Sequence, residues 1–224
     1  AEELKQFADE LEKSADFQSD LHQLIRRVFT EHQRIIFNGN GYDDAWLEEA
    51  AKRGLSNLKS TADALPAYID PKNVDLFVKH GIYTKEEIQA RYEIHVENYV
   101  NVLSIEAKTM IDMIQHDILP AVSSYAAELC RRAADKKALG VSCGYETATA
   151  KELSCVTDEL MEACAALDKD LSARPACLEE AMRYSHDVIV PAMEKARAAA
   201  DQLESITASE SWPFPVYSQL LFSV

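Results

Sequence analysis

Apolar positions recur at helical spacing along almost the whole chain. Between residues 2 and 36 they fall at Leu4, Phe7, Ala8 and Leu11, then at Leu21, Leu24, Ile25, Val28, Phe29 and Ile35, an amphipathic pattern. Ser14-Ala15-Asp16 divides this stretch into two helices, with Asp16 or Ser14 as the second N-cap. A short helix comes next, capped by Asp43 or Asp44, with Trp46, Leu47 and Ala50 on one face and Gly54 as its stop. Thr61 to Leu65 reads as a single turn ended by Pro66, and Pro71 opens another short helix closed by Gly81.

The pattern then lengthens. Thr84 and Glu87 form a capping box that opens a glycine-free run to Leu139. Its stripe holds Ile88, Tyr92, Val96, Tyr99, Leu103, Met110, Ile114 and Val122, and Pro120 is expected to kink it. At ~1.5 Å per residue this is a rod of roughly 80 Å. Gly140 to Gly144 is a turn. A second long pattern covers about 146–171 (Leu153, Val156, Leu160, Cys164, Leu167, Leu171), and a third runs from Pro175 to about Ile206, interrupted by Pro191. Short connections make consecutive helices antiparallel neighbours. The expected fold is all-α: short helices, then an antiparallel bundle of three long helices, then an extended aromatic C-terminal tail.

That tail, Ser211 to Val224, carries no charged side chain, and Pro213 and Pro215 bar a helix at its start. Left bare, Trp212, Phe214, Tyr217, Leu221 and Phe222 would form an apolar patch, which marks them as candidate interface residues. They either pack on their own domain or cross to a partner; the residues alone leave both open. At the other end, Ala1-Glu2-Glu3-Leu4 begins inside a helical pattern with no capping residue ahead of it, so the chain is expected to be part of something longer.

The segment Asn38-Gly39-Asn40-Gly41-Tyr42 breaks the pattern. Asn and Gly tolerate left-handed backbone, so an abrupt, strained turn is expected there. It lacks the Lys-Ser/Thr and the preceding strand of a phosphate loop, and a lone Gly-x-Gly carries little weight.

Composition narrows the function classes. A formal charge of −15 argues against nucleic acid and against anionic membrane surfaces, both of which need a basic face. No apolar run approaches the ~18 residues of a spanning helix, and no secretory signal is visible. Cys130, Cys143, Cys155, Cys164 and Cys177 include no Cys-x-x-Cys pair and read as reduced packing thiols. Carboxylate-bridged metal sites in bundles need Glu-x-x-His on facing helices, and none occurs. Asp112 and His116 share a helix face, but the sequence supplies them no further ligand.

A family likeness rests on longer stretches. They are Arg34-Ile35-Ile36-Phe37-Asn38-Gly39-Asn40-Gly41-Tyr42, Lys52-Arg53-Gly54-Leu55-Ser56-Asn57-Leu58-Lys59 and Asp63-Ala64-Leu65-Pro66. Further on come Arg91-Tyr92-Glu93-Ile94, Asn98-Tyr99, Ile105 to Met113, Ile118-Leu119-Pro120-Ala121, and the close Trp212-Pro213-Phe214-Pro215 through Leu220-Leu221-Phe222. Together they resemble the C-terminal part of type III glutamine synthetase.

The resemblance implies a parent enzyme that ligates ammonia to glutamate through a γ-glutamyl phosphate, with ATP and magnesium. It implies that the catalytic, cofactor-binding and metal residues lie upstream, so none is assigned to this segment. By the same likeness residues 1–100 are the helical end of the catalytic domain, 101–210 the type III helical extension and 211–224 a terminal strap. Partners are then the upstream catalytic domain and further copies in a dodecamer, in the cytoplasm, with no nucleic acid and no membrane. The alternative is a freestanding helical adaptor without catalysis.

Overall fold

A computed structural model describes residues 2–222, apart from the side chains of residues 217, 218 and 222. Among the described residues the fold is all-α, with no strand. The chain divides into two compact units, Ala1–Lys59 and Ser60–Val224.

In the first unit, α1 (Glu2–Leu11) and α2 (Phe17–Glu31) form a hairpin. Asp16 caps α2, its carboxylate accepting the Ser19 N–H at 3.3 Å. The Arg27 guanidinium donates to both carboxylate oxygens of Glu10, at 3.0 and 2.6 Å. A 3-10 turn (Gln33–Ile35) leads to an irregular segment and then α3 (Asp44–Lys52). Gly54 adopts φ 72°, and the Leu55 N–H returns to the Ala50 carbonyl at 2.9 Å. This left-handed cap satisfies carbonyls that a helix end leaves unpaired, and only glycine enters it without strain. The buried core of the unit is small, Leu24 and Ala50, whereas Leu4, Phe17, Ile25 and Phe29 on the hairpin are exposed.

The second unit begins with α4 (Thr61–Ala64), capped by Ser60, and a 3-10 helix over Leu65–Ile69. Pro66 therefore sits in the first turn of a helical segment rather than ending one. That position needs no N–H, so proline fits it. Then α5 (Pro71–Lys79) is closed by Gly81. The Thr84–Glu87 capping box opens α6 (Lys85–Met113), with reciprocal bonds of 3.2 and 2.8 Å.

The long pattern to Leu139 is not one continuous α-helix. A π-helical turn spans Ile114–Ile118, where the Leu119 N–H bonds back five residues to the Ile114 carbonyl, before α7 (Leu119–Ala138). The same device recurs later. After α8 (Gly144–Ser172) and α9 (Leu178–Tyr184), a π turn at Ser185–Ile189 ends with the Val190 N–H on the Ser185 carbonyl, and α10 (Val190–Ile206) begins. Pro120 and Pro191 are each the second residue of the helix after the π turn. A proline ring crowds the carbonyl four residues back, and a widened turn is one way to relieve that.

Three long rods result, and α8 packs against both α7 and α10. Their shared core includes Ile114, Ile118, Val122, Leu129, Leu153, Leu160, Cys164, Ala196 and Leu203, among which Ile114, Val122, Leu153, Leu160 and Cys164 are positions that the apolar stripes nominate. A second cluster joins α6 to α9 and α4 through Tyr92, Val96, Val100, Met182 and Ala62. Polar ties hold that end. Tyr92 Oη donates to Glu179 Oε1 at 3.2 Å, Arg183 Nη1 to Asp63 Oδ1 at 3.0 Å, and Arg174 donates to the Ser104 hydroxyl.

The tail runs without regular secondary structure over residues 212–216, before α11 (Tyr217–Phe222). Beyond Pro215 nothing removes an N–H. The Gln219 and Leu220 N–H groups reach the Val216 carbonyl at 2.9 and 3.1 Å, and Gln219 Oε1 accepts the Val216 N–H at 3.2 Å.

Candidate functional sites

Two features carry the residues singled out in the sequence. The first is the turn after α2. No residue of Asn38–Tyr42 has a positive φ, so the expectation of a strained left-handed turn is overturned. The tight turn is instead Asn40–Asp43, closed by the Asp43 N–H on the Asn40 carbonyl at 3.3 Å. Asn40 Oδ1 accepts the Tyr42 N–H at 3.1 Å, a side-chain mimic of a backbone turn.

What holds this segment in place is Arg53, at the end of α3. Its guanidinium donates to the Ile36 carbonyl and, at 3.3 Å, to the Arg34 carbonyl, while Nε donates to Glu49 Oε1 at 2.6 Å. The same group lies 5.7 Å from the Phe37 ring centroid and 6.0 Å from that of Trp46, and these two rings pack at 4.4 Å. A planar cation that stacks on aromatic faces while its edge donates to two carbonyls uses both properties of arginine. Its hydrogen bond holds the Glu49 carboxyl below the usual range. Tyr42 projects from the turn fully exposed, at 102 % of its reference area, and Asn38 and Asn40 are exposed beside it. Arg53 was visible in the sequence only as part of a family stretch; its i,i+4 spacing from Glu49 was the one local signal of a fixed side chain.

The second feature is a cleft of about 560 Å3 between α6 and α10, bordered by the tail. Met110, Met113, Ile114 and Ile118 form one wall, Met193 and Ala196 the other. Trp212 and Phe214 meet edge-on at 6.4 Å along its border; Trp212 is 9 % exposed and belongs to the bundle core. Of the tail residues nominated, Trp212 and Phe214 thus pack on their own unit, and Leu221 is exposed at 69 %. The side chains of Tyr217 and Phe222 lie outside the described residues.

Neither feature assembles a catalytic constellation. Asp112 and His116 approach to 3.5 Å on the surface, and among the described residues no group of three or more His, Cys, Asp or Glu could hold a metal ion. The thiol of Cys164 is pushed up by burial, away from the reactive thiolate, and the five cysteines are free. No helix among the described residues is long and apolar enough to cross a membrane.

The first unit thus carries an arginine-clamped turn and the second a tail-bordered helical bundle, and among the described residues neither assembles a metal-ligating group. The chain belongs to the glutamine synthetase C-terminal domain family, whose profile matches residues 20–137. It is similar to a glutamine synthetase of Butyrivibrio fibrisolvens, 36 % identical over 213 residues, which covers 93 % of this chain and 30 % of that protein. A type-3 glutamine synthetase of Dictyostelium discoideum is 28 % identical over 222 residues, covering 94 % and 30 %. A glutamine synthetase of Bacteroides fragilis (strain YCH46) is 28 % identical over 236 residues, covering 100 % and 32 %. The chain therefore spans under a third of the length of these relatives.

Proposed function

We propose that this chain is the C-terminal helical region of a type III glutamate–ammonia ligase, and that it serves domain packing and oligomer assembly while the remainder of the polypeptide performs catalysis. The observation that carries the reading is the 36 % identity spread over 93 % of this chain but only 30 % of a glutamine synthetase. In such an enzyme ATP and magnesium would supply phosphoryl transfer to the glutamate carboxylate. Among the described residues Asp112 and His116 are exposed and have no third ligand beside them, and the reading assigns no step to this segment.

A packing role accords with the first unit. Its hairpin exposes Leu4, Phe17 and Phe29, while among the described residues of the unit only Leu24 and Ala50 are buried hydrophobics. Residues 1–100 would complete the catalytic domain, 101–210 would form the helical extension and 211–224 the strap, in a cytoplasmic ring assembly of twelve copies as the resemblance implies. Positions 100 and 101 both lie within α6, so this boundary separates roles along one helix.

The test is activity by complementation of parts. The 224-residue chain alone should show no ammonia-dependent ATP hydrolysis, whereas the full-length parent should make glutamine. Turnover by the chain alone would overturn the assignment of chemistry to the rest of the polypeptide.

A further inference from the structure

Asn38-Gly39 and Asn40-Gly41 are the two Asn-Gly pairs of the chain, and they stand side by side in the exposed turn ahead of α3. Glycine has no β-carbon, so the backbone nitrogen after each of these asparagines is unshielded. Such a nitrogen can attack the side-chain amide carbon of the preceding asparagine and close a succinimide ring. Inside a helix the same nitrogen is tied to the carbonyl four residues back, which protects Asn73, Asn98 and Asn101. Asn57 precedes Leu58, whose β-carbon stands in the way.

The two pairs differ in their surroundings. Asn40 Oδ1 accepts the Tyr42 N–H at 3.1 Å, which folds the side chain along the main chain and swings Cγ toward the intervening Gly41 nitrogen. The same bond polarises the Asn40 side-chain carbonyl and is in place to stabilise the oxyanion that forms on attack. Positioning and polarisation together favour an intramolecular reaction. Among the described residues the Gly41 N–H has no acceptor, and a β-carbon on Gly41 would meet nothing within 4 Å, so the ring has room to close. Asn38 lacks both advantages. Its side chain accepts no corresponding bond among the described residues, and Gly39 lies so close to the Phe37 ring that a β-carbon would come within 2.3 Å of Cζ. That ring packs on Trp46 at 4.4 Å and lies under Arg53, so the peptide between residues 38 and 39 is hemmed in.

We propose that Asn40 is a site of spontaneous covalent modification, selected over Asn38 by the fold of the turn. The Gly41 nitrogen bonds to Asn40 Cγ, its proton departs with the side-chain nitrogen as ammonia, and water opens the succinimide to aspartate or isoaspartate. One water enters and one ammonia leaves. In the isoaspartate product the main chain runs through the former side chain and is one carbon longer. The former Asn40 carbonyl, which closes the turn on the Asp43 N–H at 3.3 Å, becomes a free carboxylate. Either product places a new negative charge beside Asp43 and Asp44. The turn that presents Tyr42 is thereby changed in charge, and in the isoaspartate form also in length.

The experiment incubates the full-length parent at mildly alkaline pH over weeks and locates the products by digestion and fragmentation mass spectrometry. Position 40 should gain about 1 Da, the exchange of an amide for an acid, at least about tenfold faster than position 38. Isoaspartate at position 40 should accept a methyl group from a protein isoaspartate methyltransferase. In a synthetic peptide of residues 35–45, which lacks Trp46 and Arg53, the two asparagines should react alike. Gly41→Ala should slow the reaction in the parent by about tenfold or more without lowering Tm. Equal rates at Asn38 and Asn40 in the parent, or the same preference for Asn40 in the peptide, would show that the fold does not select the site and overturn the proposal. An unmodified Asn40 in a parent whose peptide reacts overturns it as well. So does aspartate without isoaspartate, which would mean direct hydrolysis of the side-chain amide, or a rate that Gly41→Ala leaves unchanged.

Discussion

Gly39 lies beneath the ring of Phe37: a β-carbon on Gly39 would come within 2.3 Å of Phe37 Cζ. That ring is not free to swing aside, because it packs on Trp46 at 4.4 Å and lies under the Arg53 guanidinium. Gly39→Ala should therefore displace Phe37 from its stack and lower stability by about 1 to 3 kcal/mol, the usual range for overpacking. Gly41 meets nothing within 4 Å and has no positive φ, so Gly41→Ala should be neutral or stabilise by about 0.5 kcal/mol. Thermal melts and the indole N–H shift of Trp46 separate the two glycines. Equal effects would show that Gly39 is not set by its contact with Phe37.

Arginine at position 53 should resist conservative replacement. Lysine can reach one carbonyl but cannot place two donors at the Ile36 and Arg34 carbonyls while stacking on Phe37 and Trp46. Arg53→Lys is expected to lose most of what Arg53→Ala loses, read as faster amide exchange at Trp46 and Tyr42. Exchange close to that of the unsubstituted protein would mean that charge alone holds the turn.

Most of the helical framework was legible because it rests on local chemistry. The Thr84–Glu87 box, the Asp16 cap and the glycine stops at Gly54, Gly81 and Gly140 each satisfy backbone groups through near neighbours in sequence. The π turns were not legible: an i−5 bond differs from an i−4 bond by one residue, and proline announces an interruption without its kind. The core itself carries a trace of them, since Ile114, Ile118 and Val122 are spaced by four twice in succession, a step that drifts off the face of a regular α-helix. The turn at Asn38–Tyr42 was misread for the opposite reason. Its glycines suggested backbone strain, whereas Gly39 answers to a side chain that only the tertiary contact of Arg53 fixes.

The π turn at Ile114–Ile118 amounts to one residue more than a regular helix would hold. Deleting His116, which is exposed, should convert the turn toward α-helix and keep Val122, Tyr125 and Leu129 facing the core. Deleting Glu152 from the regular helix α8 instead rotates its N-terminal part by about 100° against its C-terminal part, which misplaces Glu146 and Ala150 relative to the Leu153–Leu160 stripe. The first deletion should shift Tm by a few degrees, the second by more than about 10 °C. If both deletions unfold the chain alike, the π turn does not act as an absorbed insertion.

Asp63 sets an acid limit on the second unit. The Ser60 hydroxyl and then Arg183 hold its carboxyl below its ordinary value of 3.8. Because the folded pKa is depressed, the stabilisation is complete above the unfolded value and is lost as pH falls through the lowered folded one. Asp63→Asn should thus lower Tm by a constant amount at neutral pH, and its deficit should shrink below pH 3.8. A deficit that stays constant down to acid unfolding would assign the loss to packing rather than to the carboxylate.

The tail offers a separation of its two roles by residue. Trp212 is buried in the bundle core, so Trp212→Ala should cost about 3 to 5 kcal/mol within the chain itself, the range for emptying a large aromatic site. Leu221, exposed at 69 %, has no such contact to lose, and Leu221→Ala should change the stability of the chain by less than about 0.5 kcal/mol. In the full-length parent the two residues diverge only if the tail crosses to a partner. There Leu221→Ala should lower the melting temperature or the sedimentation coefficient, because an exposed leucine on an uncharged helical end gains its contact from another surface. An unchanged parent would place the whole tail on its own unit, with Trp212 as its anchor.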